Sequence, residues 1–130
     1  PVWHKSRGLD YWKGMVKDYK YVAIGGIVTK EIKPAEHRIF VNLIDIAKEH
    51  GAKVHGLGYT NLQGLKKYKF DSVDSTTWLY GNRTGTIYKF NGETIVQISK
   101  PAGTRVNARA VAINNFKEWV KFQQYARNNL

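Results

Sequence analysis

The chain has 130 residues, of which 42% are hydrophobic and 13% aromatic, enough for one domain to bury a core unaided, which excludes global disorder. It has no cysteine, which excludes disulfides and thiolate zinc or iron–sulfur sites and fits a reducing cytoplasm. No window reaches the roughly 18 apolar residues of a membrane span, and the formal net charge of +11 favours polyanions over membranes, with a merely basic soluble surface as the plain alternative.

Leu9, Trp12, Val16 and Tyr19 recur at helical spacing among Lys13, Lys17 and Asp18, which predicts a short amphipathic helix. The run Tyr21 to Val28, apolar apart from two glycines, predicts a strand buried on both faces, as in a parallel sheet. After Pro34, the positions Ile39, Phe40, Leu43, Ile44 and Ala47 predict a helix over 36–50, which Gly51 stops. "AKVHGLG" reads as the next strand, "TNLQGLKKY" as a short helix capped by Thr60 or Asn61, and "KFDSVDS" as a third strand. Such alternation predicts βαβ units with chemistry at the carboxyl ends of the strands, where Gly25, Gly26, Gly58 and Asp71 to Asp74 fall. Beyond Trp78, "LYGNRTGTIYKFNGETIVQISK" carries turn signals at Gly-Asn and Asn-Gly and predicts a β-hairpin. A helix over 114–128, capped by Asn114 or Asn115, closes the chain.

Few of these residues form a recognised catalytic pattern. Gly25-Gly26 lets a ligand approach the backbone or simply makes a tight turn. Gly56-x-Gly58 lacks the third glycine of a dinucleotide fingerprint. Asp71 and Asp74 are acids in a strand, where acids are depleted. Residues three apart on a strand face opposite ways, so a glycosidase-type carboxyl pair is not expected, and Asp74 reads as a cap or Asx-turn. His4, His37, His50 and His55 are scattered, and no metal site is expected. His55 either bonds a substrate or is a satisfied core histidine. Tyr59, Trp78, Tyr80 and Tyr88 stack on bases beside Lys66, Lys67, Lys69, Arg83 and Arg105, or fill core.

Three strand ends, read in order, resemble one family. "YVAIGGIVTKE" resembles the Ala-Ile-Gly-Gly-Leu-Ala-Val-Gly-Glu stretch of tRNA-guanine transglycosylases. "VHGLGYTNLQGL" resembles their Met-Gly-Val-Gly-Thr-Pro-x-x-Leu, and "FDSV" their Phe-Asp-Cys-Val. "HGLGYT", "DSVDSTTW" and "WHKSRGLDY" are similar to stretches of phage-encoded transglycosylase-like proteins associated with 7-deazaguanine modification of DNA. The similarity spans Trp3 to Trp78 and covers the second half of the family's barrel.

The resemblance implies a half (β/α)8 barrel supplying about four of eight strands, followed by a hairpin and a terminal helix in the same domain, divided near Trp78. It implies exchange of guanine for a 7-deazaguanine in DNA, with Asp71 as nucleophile and no cofactor. Gly25, Gly26 and Ile27 would bind the base through the backbone, and His55, Gly56 and Gly58 would line its pocket. Arg83, Arg105, Arg109, Lys66 and Lys67 would hold the nucleic-acid backbone, with solvated surface as the plain alternative for the arginines. The family's cysteine-rich zinc site is missing, which points to DNA ahead of tRNA. Its general acid/base aspartate lies in the half not matched, so a second chain or a second copy would complete the barrel, in the cytoplasm of the host if the source is a phage. The rival expectations are an inactive basic nucleic-acid-binding module and a regulatory or anti-defence protein that binds a protein partner.

Overall fold

A computed structural model of the chain describes residues 1–98, 103 and 105–130. It divides into two compact units, Pro1–Ser75 and Thr76–Leu130.

The first unit is a parallel sheet of four strands in chain order: β1 (Val2–Trp3), β2 (Tyr21–Ile24), β3 (Lys53–Gly56) and β4 (Ser72–Val73). The helices α1 (Leu9–Asp18), α2 (Ile39–Glu49) and α3 (Leu62–Tyr68) connect them. Ala23 pairs with Val2 on one side and His55 on the other, and His55 pairs in turn with Ser72. The sheet is open and does not show a barrel.

One face of the sheet carries the core. Val22, Ile24 and Val54 are buried, as are Trp12 and Val16 of α1 and Phe40, Leu43 and Ile44 of α2. Trp12 also donates its indole N–H to the Leu43 carbonyl at 2.9 Å, so the polar atom of the largest buried side chain is satisfied. The opposite face is not covered to the same degree: Val2 is 46% and Tyr21 49% exposed. This corrects the expectation of a strand buried on both faces. The apolar run of β2 alternates in burial, and its strand ends at Ile24 because Gly26 turns the chain at φ +80°.

Other boundaries move for local reasons. Pro34 opens a 3-10 turn, Pro34–Glu36, so α2 begins only at Ile39. Asn61 is the cap of α3, its Oδ1 accepting from the Gly64 amide at 2.9 Å. Strand β1, too short to carry a periodic signal, has no counterpart among the predicted elements.

The second unit holds α4 (Thr77–Thr84), the antiparallel hairpin β5 (Ile87–Phe90) and β6 (Ile95–Ile98), and α5 (Ala108–Asn129). The predicted hairpin over 79–100 is thus half right: the Asn91-Gly92 turn exists, whereas Gly81-Asn82 lies inside a helix. Its last two residues fall outside the described ones. A Cβ at Gly81 would collide with Asn115 Nδ2 and the Thr86 carbonyl, so the glycine serves close packing, not a turn. The last helix starts at Ala108, six residues before the expected Asn114, because Asn107 caps it through the Ala110 amide.

Asn114 and Asn115 do something else. Tyr88 donates its N–H to Asn115 Oδ1 at 2.9 Å, Asn115 Nδ2 donates to the Thr86 carbonyl, and Asn114 Nδ2 to that of Tyr88. Phe90 N–H reaches Glu118 Oε2 at 3.1 Å. Helix side chains thereby occupy the β5 edge that would otherwise be open to another strand. Rings of Tyr88, Phe90, Trp119 and Phe122 pack beneath this edge.

Candidate functional site

In a parallel sheet every strand delivers its carboxyl end to one edge, and the loops there carry most of the polar contacts of the first unit. After β1 come His4, Lys5 and Ser6, and after β2 the segment 25–36 folds over them. Glu31 Oε1 accepts the Ser6 amide at 3.0 Å, and Oε2 lies 3.1 Å from His4 Nδ1. Lys5 Nζ donates to Glu36 Oε1 at 2.6 Å. The Ser6 amide, followed by His4, holds the Glu31 carboxyl below its usual range, and Lys5, with the Lys33 amide, does the same for Glu36.

The glycine doublet is enclosed by this arrangement. A Cβ at Gly25 would stand 2.8 Å from the His4 ring, and one at Gly26 2.6 Å from Glu31 Oε2. The Gly25 amide is engaged with the Trp3 carbonyl at 2.8 Å. Ile27 is half-buried and its carbonyl accepts from Lys30. Gly56 lies on the helix-packed face, where a Cβ would stand 3.1 Å from the Phe70 ring. Gly58 turns at φ +70°, and Val28 covers the position a side chain would take.

The open face of the sheet holds a chain of hydrogen bonds. The Tyr21 hydroxyl bonds Ser72 Oγ, Ser72 Oγ lies 2.6 Å from His55 Nδ1, and His55 Nε2 lies 3.5 Å from Asp74 Oδ2. Asp74 Oδ1 accepts the Gly58 amide at 2.7 Å. Strand alternation explains the grouping: Ser72 and Asp74 are two apart and share a face, and the parallel register sets Ser72 against His55. The result is an imidazole hydrogen-bonded to a hydroxyl through Nδ1, with a carboxylate 3.5 Å from Nε2. Through its bond to the Gly58 amide, Asp74 anchors the loop after β3.

Asp71 is placed differently. It precedes β4, and its amide donates to the Val54 carbonyl at 3.0 Å while Oδ2 accepts the Val54 amide at 2.8 Å. It lies at the amino end of its strand, which corrects the expectation that both acids sit at the carboxyl ends. The two acids do not share one site, as the alternation requires.

Of the aromatic residues, Tyr59 and Tyr88 are core at 2% and 6% exposure, and burial pushes the Tyr59 hydroxyl up to about 12. Trp78 packs against Phe116, and Tyr80 is exposed. Lys66 and Lys67 are exposed on the last turn of α3, and Arg109 is exposed on α5. Arg83 and Arg105 line one pocket of the second unit. His4, Tyr21, Glu31 and Ser72 carry no local pairing signal in the sequence, their partners lying 17 to 51 residues away. The available signal was Ser72 and Asp74 at strand spacing beside His55.

Comparison with family models, with curated proteins and with solved structures returned no match. Among the described residues, no helix is long and apolar enough to cross a membrane.

Proposed function

We propose that this chain exchanges guanine for a 7-deazaguanine base in DNA, as the transglycosylases it resembles do, and that its parallel sheet is half of a barrel completed by a second chain or a second copy. The observation that carries this reading is the strand order β1-β2-β3-β4, all parallel, which brings the Gly25-Gly26, Gly58 and Asp74 loops to one edge in chain order, with Asp71 at the amino end of the outermost strand, set back from that edge beside Val54. The exposed face bearing Val2 and Tyr21 would become the barrel interior.

In this reading the Asp71 carboxylate attacks C1′ of a deoxyguanosine, the C1′–N9 bond breaks with its electron pair going to the purine, which takes up a proton and leaves as guanine, and a glycosyl ester forms. The incoming deazapurine reverses these steps. Asp71 is exposed, and its Oδ2 accepts the Val54 amide at 2.8 Å. The test is release of labelled guanine from DNA by the wild type and by Asp71→Asn, whose amide oxygen keeps the Val54 contact.

One observation favours a second reading. Glu31 and Val28 fill the space over Gly26 and Gly58, so a base would have to displace them. A nucleic-acid-binding module without exchange needs no such movement, and it is identified by tight DNA binding without release of label.

A further inference from the structure

We propose that the pocket between the end of α4 and the start of α5 binds a backbone phosphate of nucleic acid through Arg83 and Arg105. The pocket is about 260 Å³ in volume, and Gly85, Val106, Ala108 and Val111 complete most of its wall. Among the described residues, no carboxylate lines it, α5 has no acidic residue in its first turn, and neither guanidinium is in an ion pair. Two arginines line one concavity, and an anion held there would accept hydrogen bonds from both guanidiniums.

The geometry selects the anion's class. Gly85 ends α4 at φ +72°, and Thr84 Oγ1 is spent on the Tyr80 carbonyl and Thr86. Among the described residues, the side-chain donors that remain are planar forks suited to the non-bridging oxygens of a phosphodiester. Ala108, at the start of a helix of 22 residues, adds a favourable dipole to a site the arginines already define. The pocket is open to solvent through both exposed arginines, so a continuous strand can pass across it. Nucleic acid as the polyanion rests on the proposed function; the anion site itself does not.

The test measures binding of the full chain to duplex and single-stranded DNA across a salt series, for the wild type, Arg83→Gln, Arg105→Gln and the double variant. Lys13→Gln/Lys17→Gln, on the exposed side of α1, serves as the control. Each arginine removed should lower affinity about tenfold and flatten the slope of log K against log salt by about 1, with the melting curve unchanged. Equal affinity and slope in the double variant and the control overturn the proposal. Titration with inorganic phosphate, followed at the arginine Nε–H resonances, separates the sources. Saturation by phosphate that DNA does not displace makes this a small-anion site and also overturns it. Exchange activity reads out separately: binding lost in the double variant without any exchange keeps the pocket and removes the proposed function, and exchange with unaltered binding does the reverse.

Discussion

His55 and Ser72 stand opposite each other on β3 and β4, with Nδ1 2.6 Å from Oγ, and Ser72 also bonds the Tyr21 hydroxyl. One small side chain thus ties three strands together on the open face of the sheet. Ser72→Ala removes both bonds and should cost about 0.5–1.5 kcal/mol for each, less where water replaces the partner. Urea unfolding measures the loss, and a shift of the His55 ring resonances locates it. An unchanged midpoint with unchanged His55 signals would mean the chain of bonds is not formed in solution.

Phe40 is fully buried, and the rings of His37, Tyr59, Tyr68 and Phe70 lie 5.0 to 5.6 Å from it. Phe40→Ala should destabilise the first unit by about 3–5 kcal/mol. Its neighbour Val41, 43% exposed, supplies the contrast: Val41→Ala should fall within about 0.5 kcal/mol of wild type. Similar losses for both would place the helix face incorrectly.

Asn115 has no exposed surface, and it satisfies both the Tyr88 amide and the Thr86 carbonyl. Asn115→Ala leaves two buried backbone groups without partners, at about 1–3 kcal/mol each. Hydrogen exchange at the Tyr88 amide should accelerate more than at the Lys89 amide, which belongs to the other edge of the strand. Equal acceleration would indicate general loosening of the hairpin.

Acid should loosen the loop after β2. Glu31 and Glu36 both have lowered folded-state values, the first mainly through the Ser6 amide and the second mainly through Lys5. A lowered carboxyl contributes stability that is complete above its unfolded value near 4.5 and is lost as pH falls through the folded value. His37, lowered by burial, follows the same sign from about 6.5 downward, because protonation favours the unfolded chain. Melting temperature should therefore fall on acidification, and Glu31→Gln should flatten its decline below pH 4.5. A variant with the wild-type acid profile would show that the Glu31 contacts carry no stability.

Element type was legible wherever period and length agreed. The heptad-like run from Ile39 to Ala47 defined α2, and the Asn61 and Asn91-Gly92 signals marked a cap and a turn. Two features were not legible. Asn114 and Asn115 carry the residue type of a cap, yet their amides satisfy a strand edge that no local pattern announces. Gly81-Asn82 has turn composition, but its glycine exists for the close approach of Asn115 and Thr86. The site divides similarly. The glycines and both aspartates were visible as unusual residues for strand ends, whereas the pairing of His4 with Glu31 and of His55 with Ser72 depends on strand register. Register is a tertiary property, set by packing between segments distant in sequence.

The central claim is base exchange at Asp71. The measurement that tests it most directly is release of labelled guanine from duplex DNA, with covalent DNA–protein adducts mapped by peptide mass. It is made with this chain alone and with the product of the adjoining reading frame, and Asp71→Asn is run beside each. The account predicts release in at least one of the two settings, an adduct on Asp71, and neither in the variant. Tight DNA binding with no release in both settings, or an adduct on any other residue, would contradict it.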